Sequence, residues 1–334
     1  MGMPLSDYRP FFYRISMHIL DLKFSLYEIN KRIISSLVYV ISAIFLYILI
    51  NTVSNDVGEY LHVWALLKDD SLERTFSSLR YEPGFLVLFW YLASIFSANM
   101  TFYLTCLLSL SIKHYLFNKY LHYSFIAFAL YLLTFAHILD ANQIRAALAA
   151  CVIFYAIFVT PRSKYTYLIL SLVAILFHYS GVIILSLYFV NRPVIPLVAI
   201  IGLGFLFDTI ISSSVYFKFA IIWLSSGDGE VNLTSSIFIM QLCIAFMCAV
   251  NWRTLSEGQK RGALLTMIGV VTYISFLDNP IVAHRIRELS QIGIFGILFL
   301  GKRNLSPVKF VTLICFGYIF AYNVLLISLE LASI

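Results

Sequence analysis

The sequence predicts an all-α, polytopic integral membrane protein with about 10–12 transmembrane helices and short interfacial helices between them. Three observations carry this. Of the 334 residues, 61% are hydrophobic and only 12% charged, with a mean hydropathy of +0.89, far outside the range of a soluble domain. The apolar runs are long enough to supply crossings of about 20 residues each, leaving little chain for an extramembrane domain. Those runs do not alternate with period two, so helices rather than a barrel are implied.

The net charge of +6 fits Lys and Arg gathered in cytoplasmic loops. Nucleic-acid binding is a poor reading, since no Lys/Arg run exceeds two residues. The five cysteines all lie within apolar runs without metal-ligand spacing, so they read as small buried hydrophobes. Neither a metal site nor a cofactor is expected. No Gly-rich nucleotide loop, H-E-x-x-H or G-x-S-x-G pattern is present.

Residues 1–32 carry three acids and five basic residues before any apolar run, unlike a secretory signal. Phe12, Ile15, Ile19, Leu22, Leu26 and Ile29 recur at helical spacing, as in an amphipathic cytoplasmic segment. Lys31 and Arg32 then precede the first span, Ile33 to Ile50, which places the N-terminus in the cytoplasm. Residues 33–334 read as a single transmembrane domain. The polar stretch 51–83 is expected outside, as interfacial helices. Gly84 to Phe117 is too long for one crossing, so it is split near Ala98-Asn99. Two crossings there put Lys113 and Lys119 on the outer side, unless these lysines snorkel or one segment is re-entrant.

Leu121 to Leu139 is the next span, followed by a hairpin. Its legs, Arg145 to Thr160 and Tyr165 to His178, are 16 and 14 residues long and flank the basic turn 161–164. Legs of nearly equal rise return Arg145 and His178 to one membrane depth. Beyond it come Gly181 to Val190, a break at Asn191-Arg192-Pro193, and Val194 to Ile211. An acidic outer loop at 212–236, a span to Val250 and a basic cytoplasmic loop at 251–262 follow. Ala263 to Leu277 crosses out, 278–287 lies outside, Ile292 to Leu300 returns, and Val308 to Leu329 is the last span. Loops 51–83, 140–145, 212–236 and 278–287 thus share the outer face.

Ionisable side chains at membrane depth are functional candidates. Arg145, after Asn142 and Gln143 at a helix start, suits a phosphate or diphosphate, with a salt bridge to Asp140 or another carboxylate as the plain alternative. His178, level with Arg145, is either a base or substrate contact, or a packed histidine. Glu82 is either a helix-entry charge or a base. Arg285 and Arg287 open a helix after Asn279-Pro280, beside His284, and Glu288 is within i, i+3 reach of Arg285.

Together, Asp56 with Tyr60, Glu82 with Gly84-Phe85, Ile144-Arg145, Phe177-His178-Tyr179-Ser180, and His284-Arg285 with Arg287 resemble, in order and spacing, the EpsG family of Wzy-like polymerases of bacterial surface polysaccharide. The resemblance spans residues 33–300. It departs in that Gln143 precedes Ile144-Arg145 where the family often has Gln after the Arg, and the late motif offers two arginines. It implies a glycosyltransferase that moves a growing glycan from undecaprenyl diphosphate onto an incoming lipid-linked repeat unit, at the outer face of the bacterial inner membrane. A fold like that of the GT-C glycosyltransferases is the implied analogue. The catalytic candidates are then His178, Glu82 and Asp56. The diphosphate and glycan candidates are Arg145, Arg285, Arg287, Gln143, Asn142, Asp140, Tyr179 and His284. Implied partners are lipid-linked repeat units, membrane lipids, a chain-length regulator and a repeat-unit flippase. A lipid-linked oligosaccharide transporter or flippase, an O-antigen ligase and a membrane acyltransferase remain the alternatives.

Overall fold

The computed structural model describes residues 33–51, 56–69, 81–121, 123–159, 163–213, 231–301 and 304–332. The amphipathic segment 1–32, half of the basic turn at 161–164 and most of the acidic loop at 212–236 lie outside the described residues. Every regular element described is helical, without strands, and the protein is an all-α polytopic membrane protein. The chain divides into two units, Met1–Ile44 and Phe45–Ile334. The described part of the first is the start of helix α1, Ile33–Asn51, whose 19 residues average a hydropathy of 2.6.

In the second unit, α2 (Val57–Asp69) is a helix within the 51–83 stretch, and α3 (Pro83–Ala93) starts on a proline at its first turn. The chain breaks before α4 (Ala98–Tyr120), with Ser97 extended, so the long apolar run is split where the sequence suggests. α5 (Ser124–Tyr131) continues as a π-helix over Leu132–Asn142, together long and apolar enough to span a membrane. The hairpin is α6 (Ile144–Phe158) and α7 (Lys164–Phe177), the latter capped by Ser163, whose hydroxyl accepts from the Thr166 N–H. A 3-10 segment, Tyr179–Phe189, follows without a true α-helix. α8 (Val194–Ser213) and α9 (Ser236–Val250) come next. α10 (Glu257–Ser275) starts on a capping box between Ser256 and Gln259. α11 (Pro280–Ser290), α12 (Gly293–Phe299) and the long α13 (Pro307–Ala332) complete the chain.

An aromatic cluster joins α4, α5, α6 and α12. The Phe117 ring lies 5.1 Å from Phe154 and 5.4 Å from Phe295, with Tyr131 5.8 Å from Phe154. α10 and α12 meet through glycines. A Cβ on Gly262 would lie 2.3 Å from the Gly293 carbonyl oxygen, so no larger residue fits without moving backbone.

Two expectations are corrected here. Lys113 does not snorkel. It is 0% exposed, and its Nζ donates at 2.7 Å to Asp140 and at 2.7 Å to Ser109 Oγ. A lysine neutralised inside the bundle carries no topological information, whereas Lys119 is exposed and donates to the Tyr115 hydroxyl at 2.8 Å. Asp140 is the other half of the buried pair and also accepts from the Tyr131 hydroxyl. Arg261, expected in a cytoplasmic loop, is buried, because α10 starts six residues before the expected span. Its Nε donates to the Ile157 carbonyl at 3.1 Å, in the last turn of α6, where helix carbonyls lack intrahelical partners.

Removing one member of a buried ion pair strands the other, at a cost of about 3–5 kcal/mol. Lys113→Met is therefore expected to lower stability by about that amount in a denaturant titration in detergent micelles. Adding Asp140→Leu is expected to restore most of the loss.

Candidate functional site

The site is built where the start of α3, the start of α6 and the end of α7 converge. Gly84 and Gly181 permit the convergence. A Cβ on Gly84 would fall 2.7 Å from the Leu176 carbonyl oxygen, and one on Gly181 would fall 2.5 Å from the Ala174 Cβ. The first contact brings the N-terminus of α3 against the last turn of α7. The second folds the 3-10 segment back onto α7. Glu82 is the N-cap residue of α3, yet its side chain caps no N–H of that helix. Its carboxylate points across to the hairpin instead.

There it joins both legs. Glu82 Oε2 accepts from Arg145 Nη1 at 2.7 Å, at the start of α6. Glu82 Oε1 accepts from the Tyr179 backbone N–H at 3.3 Å, just beyond the end of α7. The carboxylate is 1% exposed and the arginine side chain 24% exposed, so the pair is a buried anion facing a cation that still reaches the surface. The Arg145 guanidinium also sits 4.6 Å from the centre of the Tyr81 ring and lies within electrostatic reach of the Tyr60 hydroxyl. Its Nε has no partner. Tyr60 is held by rings, 5.2 Å from Phe102 and 5.7 Å from Phe85. Tyr81 donates its hydroxyl to Glu59 on α2.

His178 links α7 to the 3-10 segment in extended conformation. Its Nδ1 accepts from the Ser180 N–H at 3.2 Å, which puts the proton of the neutral ring on Nε2. His178 therefore presents a donor. Tyr179 is exposed. Asp56 and His178 both lie within the electrostatic reach of Arg145 and Arg285. Burial holds the Asp56 carboxyl above the usual carboxylate range, with Glu59 adding to the rise and the two guanidiniums opposing it. α11 closes the site. Arg285 lies 3.8 Å from Glu288, and Glu288 Oε2 accepts from Gln143 Nε2 at 3.0 Å, which ties α11 to the start of α6.

Asp56, Glu82, Gln143, Arg145, His178, Tyr179 and Arg285 are thus gathered in one neighbourhood. Asn142 turns inward and donates to the His137 carbonyl at 2.9 Å. Asp140 is engaged with Lys113. Arg287 and His284 pack on Tyr273 instead, at 4.4 Å and 5.2 Å. Glu59 and Tyr81 belong to the site without any sequence pattern marking them, because their contact spans 22 residues and no periodicity links them. Among the described residues no group of three or more His, Cys, Asp or Glu side chains is placed to hold a metal ion. The groups available to hold an anion are guanidiniums, and those available to accept a proton are carboxylates.

The model of the EpsG family matches residues 32–332. No curated protein matches the chain, and no solved structure does so.

The two halves of the Glu82–Arg145 pair differ in burial, so their removal should differ in cost. Arg145→Gln leaves a buried carboxylate unpaired, at about 3–5 kcal/mol, whereas Glu82→Gln leaves a guanidinium that can still reach water, at about 1–3 kcal/mol. Denaturant titrations of the two variants check this order.

Proposed function

This chain belongs to the EpsG family, and we propose that it is a Wzy-type polymerase of bacterial surface polysaccharide. It transfers a growing glycan from undecaprenyl diphosphate onto the non-reducing-end sugar of an incoming lipid-linked repeat unit, at the outer face of the inner membrane. The coarser statement, a membrane protein of polysaccharide biosynthesis, follows from the family and the apolar helices.

The observation that carries the proposal is the Arg145 guanidinium held by the buried Glu82 carboxylate at 2.7 Å, with Arg285 and Asp56 within electrostatic reach of one another beside it. In the transfer, the bond between the anomeric carbon and the diphosphate oxygen breaks. The acceptor hydroxyl oxygen bonds to that carbon, and its proton must leave. Negative charge grows on the diphosphate, where fixed cations stabilise the transition state more than the ground state. Arg145 is suited to this task, because Glu82 occupies only one of its nitrogens and fixes its direction. Arg285 supplies the second charge. Asp56 is the group best placed to take the proton, since its raised affinity moves it toward the range where a base works well. His178 contributes its Nε2–H as a hydrogen-bond donor to a sugar or phosphate oxygen. Glu82 then serves as the positioning residue for Arg145, and the exposed Tyr179 ring as a surface for a sugar ring.

Incubating the purified protein with lipid-linked repeat units alone is expected to give a ladder of longer lipid-linked glycans. Transbilayer movement without lengthening would instead indicate a transporter. Arg145→Ala is expected to abolish the ladder in folded protein. Full activity in that variant would remove Arg145 from the site.

A base must be deprotonated, so the rate should fall as pH drops through the raised Asp56 pKa, above the value of about 4 of an ordinary carboxylate. Asp56→Asn should remove that acidic limb along with most of the rate. An unchanged pH profile in that variant would assign the base elsewhere.

A further inference from the structure

α11 carries two arginines that do different things. Arg285 belongs to the cluster above. Arg287, two residues on, is turned about 200° around the helix. It is 9% exposed, its guanidinium lies 4.4 Å from the centre of the Tyr273 ring, and its Nε has no hydrogen-bond partner. Among the described residues no carboxylate forms an ion pair with it. Glu288, its neighbour in the chain, is taken up by Gln143 and Arg285. That carboxylate is therefore spent on Arg285, and the charge on Arg287 has no anion beside it among the described residues. An aromatic face offsets part of the cost of burying that charge but accepts nothing from the Nε–H.

Arg287 lines a cavity of about 130 Å³ between α11, α13 and the π-helical stretch. Glu288, Gln291 and Asn323 supply its other polar groups, and Phe135, Ile138 and Ile237 supply apolar wall. The π geometry of Leu132–Asn142 shapes this wall, and such departures from α geometry recur at functional sites. The Asn323 amide is fixed by donating to the Thr134 carbonyl at 3.0 Å. One turn along α9 from Ile237, buried Gln241 has neither amide atom hydrogen-bonded. The cavity is well below the about 300–1,000 Å³ that encloses a drug-sized ligand, so it fits a head group and not an oligosaccharide.

We propose that this cavity binds one phosphate-bearing group, with the phosphate on the Arg287 guanidinium and the first carbons of an attached chain against Phe135, Ile138 and Ile237. Guanidinium is matched to phosphate by its fork of N–H donors. The apolar wall suits an amphiphile, and free phosphate shares the same head-group chemistry. The binding does not depend on glycan transfer, so a failed ladder assay leaves it standing.

The test uses the full chain in detergent micelles. Dioleoylphosphatidylglycerol is titrated with native mass spectrometry as readout, and inorganic phosphate with thermal unfolding. Wild type is expected to retain the lipid, and Arg287→Gln to weaken it by about tenfold or more. Ile138→Trp, which fills the cavity with Arg287 intact, is expected to weaken it similarly, and decides the matter should Arg287→Gln fail to fold. Displacement of the lipid by inorganic phosphate would show that the phosphate alone is recognised. Lipid binding indifferent to phosphate would show that the chain contributes, and both results support the site. Absence of binding of either probe to wild type would overturn the proposal, as would equal lipid retention by wild type and Ile138→Trp.

Discussion

The arrangement depends on one buried carboxylate. Glu82 is not used by its own helix, and its two oxygens bind two different places in the chain, Arg145 at the start of α6 and the Tyr179 N–H beyond the end of α7. A carboxylate at 1% exposure is tolerable only when both oxygens are satisfied by strong donors. That requirement locks the mouth of the hairpin and the direction of the guanidinium at the same time. Gly84 makes it geometrically available, because any side chain there would hold α3 off α7. The Tyr81 ring lies against the arginine, and Phe85 packs in turn on the rings of Tyr81 and Tyr60.

The bundle separates two kinds of buried charge. Lys113 and Asp140 are sealed, mutually neutralised and further bonded by Ser109 and Tyr131. Such a pair fixes how α4 packs on the π-helical stretch and offers nothing to a ligand. The Arg145 neighbourhood is only partly neutralised and reaches the surface, and Arg287 is buried yet lacks a carboxylate partner among the described residues. Charge that the fold leaves uncompensated is the physical sign of a binding site. By that criterion α11 carries cations toward two separate places.

Much of this was legible in the chain. Hydropathy alone gives the fold class, and the nearly equal legs of the hairpin bring its ends together, where Glu82 binds Arg145 on one leg and the Tyr179 N–H just beyond the other. The i, i+3 relation of Arg285 and Glu288 is also read directly. What could not be read depends on partners distant in sequence. The partner of Asp140 is not legible, because its neutralising lysine lies 27 positions away on another helix. That Arg261 is a buried helical residue and not a loop residue is not legible either, because a buried arginine and a loop arginine have the same local sequence. The ring state of His178 is hidden for a similar reason, since the Ser180 N–H can occupy Nδ1 only because the α7 helix ends at Phe177.

A double-mutant cycle on Glu82 and Arg145 tests the central tie most directly, read both as unfolding free energy and as glycan lengthening. The account predicts a stability coupling above about 1 kcal/mol and, in lengthening, a double variant no worse than Arg145→Gln alone. Strictly additive losses in both readouts would contradict it.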